Sequence, residues 1–146
     1  IIRYLARRQE SPIYPADIKK QAVVDQWMDF GSVHVSANMS KIMYSKFFAP
    51  LRAEAPDMRS WEEGKKFLAR FLPIVDAQLG QNKNLAAQEL SLADFNMLSA
   101  LDPAEVCEVN LSPYSNLTKW RAELQKQPFY TKCYTSYAEF LAAMKK

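Results

Sequence analysis

An all-α helical bundle of about five helices, preceded by a short N-terminal helical remnant, is the fold this sequence predicts, on three observations. Only three glycines occur in 146 residues. Apolar and polar residues nowhere sustain the two-residue alternation of a half-buried strand, and apolar residues recur instead at the 3.6-residue spacing of helices. The hydrophobic fraction, 49%, suits one domain, which at this length buries about 68–70% of its unfolded surface without metal or disulfide staples.

Ile1, Ile2, Leu5 and Ala6 form a first apolar stripe, broken by the polar, proline-marked stretch from Gln9 to Pro15, the one plausible linker. A long helix starts near Asp17. Its core stripe is Val24, Met28, Gly31, Val35, Met39 and Ile42, with Asp25, Asp29, Ser32, Ser36 and Ser40 opposite, and Pro50 to Pro56 ends it. Ser60 and Glu63 have capping-box spacing and predict the next start. That helix presents Phe67, Leu68, Phe71, Val75 and Leu79, contains Pro73 and is expected to end with Gly80 at C′. Ser91 and Asp94 form a second capping box, bracketed by a Leu90–Phe95 staple, and start a helix through Leu98 and Leu101. Ser112-Pro113 predicts an N-cap and N1 for a helix carrying Leu117, Trp120 and Leu124. After Pro128 a last short helix carries Tyr134, Tyr137, Phe140 and Leu141.

The formal charge is +3, and the basic residues come as scattered pairs, so nucleic acid is not expected as a partner. No run of about 18 apolar residues reads as a membrane span. Cys107 and Cys133 lack a CxxC spacing and read as buried small hydrophobes, which fits a reduced, cytoplasmic setting. A lone histidine makes a metal site an unfavoured reading. The start at Ile1, inside a helical phrase, reads as the tail end of a longer protein.

Several phrases in order carry a family resemblance. They are Ile2-Arg3-Tyr4-Leu5-Ala6; Tyr14-Pro15-Ala16-Asp17; Ala22 with Val24-Asp25-Gln26-Trp27; Leu79-Gly80, Leu85 and Leu90-Ser91-Leu92-Ala93-Asp94; and Asn116-Leu117, Trp120-Arg121 and Pro128. Together they resemble the C-terminal helical domain of cytosolic glutathione S-transferases. Phe47-Phe48-Ala49-Pro50-Leu51 and Val75 to Gly80 look closest to the phi and theta-like branches. The resemblance implies that residues 1–10 are the remnant of the last helix of a thioredoxin-like domain with its linker, and that 11–146 are the helical domain. It implies a homodimer, with glutathione as co-substrate rather than a bound prosthetic group. It also implies a small electrophile as second substrate.

In that family the glutathione-binding Glu-Ser pair, the cis-proline and the thiol-activating residue precede the point where this chain starts. No catalytic residue is therefore expected within it, and the chain alone is expected to be inactive. What it can supply is the electrophile pocket. On the helical wheel Phe30, His34 and Asn38 occupy one shoulder of the long helix, expected to face the interdomain cleft, and Tyr137 is positioned to cap a pocket from the last helix. Trp27 and Trp120 read as core anchors, and Ser91 and Asp94 as structural. The alternative is a non-catalytic assembly module, like the similar domains of elongation factor gamma and some aminoacyl-tRNA synthetase complexes.

Overall fold

Residues 1–144 are described in the computed structural model; Lys145, Lys146 and the side chains of Ala138, Leu141, Ala142 and Met144 lie outside the described residues. Among the described residues every regular element is helical. We number them α1 (Ile2–Arg8), α2 (residues 18–51), α3 (Met58–Gln81), α4 (Leu92–Leu101), α5 (Ser115–Gln125), α6 (Pro128–Thr131) and α7 (Tyr137–Met144).

The Asp17 carboxylate caps α2 by accepting the Lys20 N–H at 2.9 Å. Two π-helical stretches, Gly31–Ser36 and Tyr44–Phe48, interrupt the α-helical hydrogen bonding. They do not interrupt the stripe. Val24, Met28, Gly31, Val35, Met39 and Ile42 are all buried, and Ser45 and Ala49 extend the same face. Ala53, at φ 57°, then reverses the chain in a Schellman-type end, with Glu54 N–H donating to the Ala49 carbonyl at 2.9 Å.

Three expected helix boundaries shift. The N-cap of α3 is Asp57, not Ser60: its carboxylate accepts both the Ser60 N–H (3.0 Å) and hydroxyl (2.7 Å), while Glu63 pairs with Lys41 at 2.6 Å. A carboxylate accepts more strongly than a hydroxyl at the positive end of a helix, so Asp57 wins the cap. Gly80 is inside α3 rather than at C′; a Cβ there would lie 2.9 Å from Asn116 Nδ2, so the glycine admits α5. Finally, α5 starts at Ser115 with no local side-chain cap, and Asp76 of α3 accepts the Leu117 N–H at 2.9 Å instead.

The centre is α4. Leu92, Ala93, Asp94, Met97, Leu98, Ala100 and Leu101 are all buried, which leaves it little polar face. The Gly31 backbone seats Asn96 of α4, since a Cβ on Gly31 would fall 2.4 Å from Asn96 Oδ1. At Gly64 the α2–α3 crossing is equally tight, with a would-be Cβ 2.8 Å from the Asn38 carbonyl oxygen. Leu85, in the segment between α3 and α4, is fully buried and plugs the core.

The short α1 leaves Ile1, Ile2, Tyr4 and Leu5 exposed and buries only Ala6. It is held to α2 by polar contacts: Arg3 Nε to Asp25 and Arg3 Nη2 to Asp29, both 2.7 Å, with the Tyr14 hydroxyl donating to Asp25 at 3.0 Å. The acidic back of α2 is therefore a docking face for α1, with Asp29 still exposed.

Candidate functional site

The four residues expected to touch substrate separate into two places. Phe30 and His34 join an aromatic stack between α2 and α3. The His34 ring lies on Phe71 with centroids 4.2 Å apart, Phe30 meets His34 edge-on at 5.0 Å, and Phe67 stacks on Phe71 at 6.1 Å. Trp27 is buried beneath, 5.3 Å from Phe30. Asn38 is buried, its amide donating to the His34 carbonyl at 2.7 Å, which commits it to the helix crossing at Gly64.

The shoulder carrying His34 is turned away from α1. At 100° per residue His34 lies about 140° round α2 from Asp29, one of the two carboxylates that hold Arg3. The wheel groups Phe30 with His34, which do meet edge-on, but cannot tell which neighbour the shoulder faces. Phe71, on α3, takes it.

Tyr137 lies elsewhere, in a cavity of about 400 Å³ between α4, α6 and the start of α7. Phe95 and Phe129 meet edge-on at 4.8 Å on one side, and Tyr130 stacks on Tyr134 at 4.6 Å on the other. Leu98 lies between them on α4, next to Asp102 at that helix's end. The Tyr130 hydroxyl donates to Asp102 at 2.8 Å. Burial drives both groups upward: the Asp102 carboxyl rises above the ordinary carboxylate range despite this bond, and the Tyr130 phenol, which also faces the Asp102 charge, is pushed far above neutrality. The phenol therefore keeps its proton at neutral pH and donates it to the Asp102 carboxyl. Burial raises the Tyr137 phenol as well.

On the flank beyond Tyr130, Arg121 is buried and makes a two-pronged contact with Glu105, whose carboxyl it holds below its ordinary value. Cys133 is exposed at the cavity rim rather than buried as expected, because the four-residue α6 is too short to carry it under the bundle. Cys107 is buried, and burial pushes its thiol up to about 11, so it is inert at neutral pH.

The capping motif before α4 is built as the spacing predicts, with a third partner added. Asp94 is fully buried. It accepts the Ser91 N–H and hydroxyl on one oxygen and the Leu85 N–H on the other, all at 2.9 Å. Burial still lifts its carboxyl above the usual range, so these bonds do not repay the whole desolvation. Phe95, expected to staple Leu90, also meets Phe129 edge-on and lines the cavity.

Phe95, Phe129 and Tyr130 were not singled out as site residues from sequence. They come from two separated segments, and no periodicity links them; the aromatic density of residues 129–140 is the one local signal. Among the described residues no group of three or more His, Cys, Asp or Glu side chains is arranged to hold a metal ion. None of the described helices is long and apolar enough to cross a membrane.

The leading helix docked by polar contacts, the centrally buried capped helix and the aromatic cavity at one end define the chain as an all-helical domain of one recognisable class. The family model for the glutathione S-transferase C-terminal domain matches residues 39–128, and the chain belongs to that family. It is 28% identical over 140 residues to glutathione S-transferase F14 of Arabidopsis thaliana, covering 90% of this chain and 55% of that protein. It is 34% identical over 109 residues to glutathione S-transferase 3 of Zea mays, covering 71% of this chain and 49% of the relative. A solved structure of glutathione S-transferase-I bound with lactoylglutathione superposes with a TM-score of 0.79 at 23% identity, over 94% of this chain and 66% of that one. The chain spans about half the length of the curated relatives it matches.

Proposed function

We propose that this chain is the electrophile-binding helical half of a glutathione S-transferase that conjugates glutathione to small electrophiles in the cytoplasm. Residues 1–10 are then the end of a thioredoxin-like domain and residues 11–146 the helical domain. The observation that carries the reading, beyond family membership, is the Tyr137 cavity. It has the size of a small-molecule site and walls of Phe95, Leu98, Phe129, Tyr130 and Tyr134, with the Tyr130 hydroxyl held in place on Asp102.

The reaction is attack of the glutathione sulfur on an electrophilic carbon. A thiol of ordinary pKa is mostly protonated at neutral pH, so a donor must stabilise the thiolate as it attacks. In this reading the thioredoxin-like domain holds glutathione and supplies that donor. The present chain orients the second substrate and excludes water from it. Apolar walls favour the electrophile over water, and desolvation strengthens the attacking charge.

Of the expected contacts, Tyr137 keeps its role. Asn38 is a helix-packing residue. Phe30 and His34, turned away from α1, fit a surface for a second copy of the chain better than the cleft. The α2–α3 face around them also exposes Val33 and Ile74, as the homodimer of this reading requires.

The test is conjugation of glutathione to an aryl halide by this chain alone and by the same chain joined behind a thioredoxin-like domain. The joined protein is expected to turn over and the chain alone to be inactive. Turnover by the chain alone near the joined protein's rate overturns the division of labour, and an inactive joined protein that binds glutathione overturns the transferase reading.

A further inference from the structure

Aromatic rings wall the Tyr137 cavity, and the one carboxyl among its lining residues is Asp102. Among the described residues no lysine, arginine or histidine lines it. We propose that this cavity selects organic molecules carrying a protonated amine, which makes the second substrate a cationic aryl electrophile. This rests on the reading of the cavity as the electrophile site and adds the charge which that site selects.

Asp102 has acceptor capacity to spare. A carboxylate can accept about four hydrogen bonds, and among the described residues Asp102 accepts one side-chain bond, from the Tyr130 hydroxyl at 2.8 Å. An ammonium head, with N–H donors and a positive charge, fills what remains. A neutral body would cover the aromatic walls as well, but would displace water from the carboxylate and offer it no donor. Burial lifts the Asp102 carboxyl above its ordinary range, and a cation beside it favours the ionised form again.

Two further features carry the same sign. Asp102 is the C-cap of α4, and Leu98 and Ser99 of the last turn also line the cavity, so the negative end of a ten-residue helix borders the head group. Aromatic faces are negative as well, and attract a cation within about 6 Å of the ring centre. Tyr130 and Tyr134 stack at 17° between planes, which leaves each ring an outer face. An anion would meet carboxylate, helix end and ring faces, all of one sign.

The protein cation whose charge reaches Asp102 is Arg121. Its guanidinium lies on the flank beyond Tyr130 and is held by Glu105 in the two-pronged contact. That pair largely cancels itself, and the Asp102 charge is left for a ligand. During conjugation the ammonium takes no part. The glutathione sulfur bonds to the halogen-bearing carbon, chloride leaves with the carbon–chlorine electron pair, and the thiol proton passes to solvent.

The probes are 2-phenylethylammonium, its neutral isostere propylbenzene and the anion 3-phenylpropanoate, titrated into the 146-residue chain with the Leu98 methyls followed by NMR. The ammonium is expected to bind with a Kd on the order of hundreds of micromolar, from the ligand efficiency of so small a molecule, and the anion about tenfold more weakly or worse. Asp102→Asn, whose amide oxygen still accepts the Tyr130 hydroxyl, should lower the ratio of ammonium to propylbenzene affinity about five- to tenfold at low salt. Tyr134→Leu, at a position 38% exposed, should weaken the ammonium about two- to fivefold, and Tyr134→Phe should restore it. Anion binding as tight as the ammonium's, an unchanged affinity ratio in Asp102→Asn, or shifts confined to Val23, outside the cavity, would each overturn the proposal. In the chain joined behind a thioredoxin-like domain, Asp102→Asn should raise KM about five- to tenfold more for 4-chloro-3,5-dinitrobenzylammonium than for 4-chloro-3,5-dinitrotoluene. Turnover of neither halide, with ammonium binding intact, fails the transferase reading alone; turnover of both with equal changes in KM fails the charge selection alone.

Discussion

Replacing Asp94 by alanine removes one buried carboxylate and orphans two backbone donors, Leu85 N–H and Ser91 N–H, along with the Ser91 hydroxyl. Each stranded buried donor costs about 1–3 kcal/mol, so the two amides alone amount to roughly 2–6 kcal/mol. Part returns, because the carboxylate was held against its desolvation, as its raised pKa records. The expected net loss is about 3 kcal/mol. That exceeds the ~1 kcal/mol of an ordinary helix cap, because Asp94 also pins Leu85, a fully buried plug nine residues upstream. With a urea m-value of about 2 kcal/mol/M, the midpoint should fall by about 1.5 M. Asp94→Asn should recover little, since its NH₂ must face one of the two amides.

The pH dependence has a definite sign. A folded-state pKa above the ordinary 3.8 means the native state binds more protons than the unfolded one between the two values. Asp94's contribution to stability is therefore largest at acid pH and declines as pH rises through that window, so the gap between the native chain and Asp94→Ala narrows toward neutrality. A loss under about 0.5 kcal/mol in urea, or a gap that widens with pH, refutes the reasoning. A lost kcat at unchanged stability in the joined protein would instead make Asp94 a chemical residue.

Gly64→Ala should destabilise by about 1–3 kcal/mol in the same urea assay, because its Cβ would lie 2.8 Å from the Asn38 carbonyl and 3.0 Å from Ile42, a backbone and a core side chain that cannot both retreat. Tyr137→Ala in the joined protein should raise KM for an aryl electrophile several-fold and leave KM for glutathione unchanged; equal changes in both would remove Tyr137 from the electrophile site. His34→Ala should weaken self-association measured by sedimentation while sparing KM for the electrophile, and a KM change without any shift in association would return His34 to the cleft.

Much of the fold is legible because its signals are local. The stripe from Val24 to Ile42 is a 3.6-residue pattern, and burial follows it position by position, through two π-helical stretches. Ser91 and Asp94 are three residues apart, and that spacing alone places both ends of the Ser91 N–H bond within reach. Errors occur where a partner is distant in sequence. The cap of α5 is Asp76, 41 residues before the amide it accepts, so Ser112-Pro113 offered a local signal for a job done from another helix. Gly80 looks like a helix terminator by position, but its lack of a side chain serves Asn116 across a helix contact.

The same distinction explains the site. A helical wheel ranks residues by angle about one axis, so it groups Phe30, His34 and Asn38 correctly and says nothing about which neighbour fills that angle. The Arg3 guanidinium reaches Asp25 and Asp29, which by the wheel lie on the other side of α2 from His34. The sequence places those two carboxylates opposite the core stripe, and nothing local says that a guanidinium 22 residues upstream of Asp25 meets them. Tyr137 was reachable by composition, through the aromatic run after Pro128, but its cavity also needs Phe95 from α4, whose sequence role was a staple for Leu90. A residue can satisfy a local rule and still be spent elsewhere once the chain has folded. At Phe95 the Phe129 edge, 4.8 Å away, supplies a contact that no local rule contains, and that contact makes the start of a capped core helix one wall of the cavity.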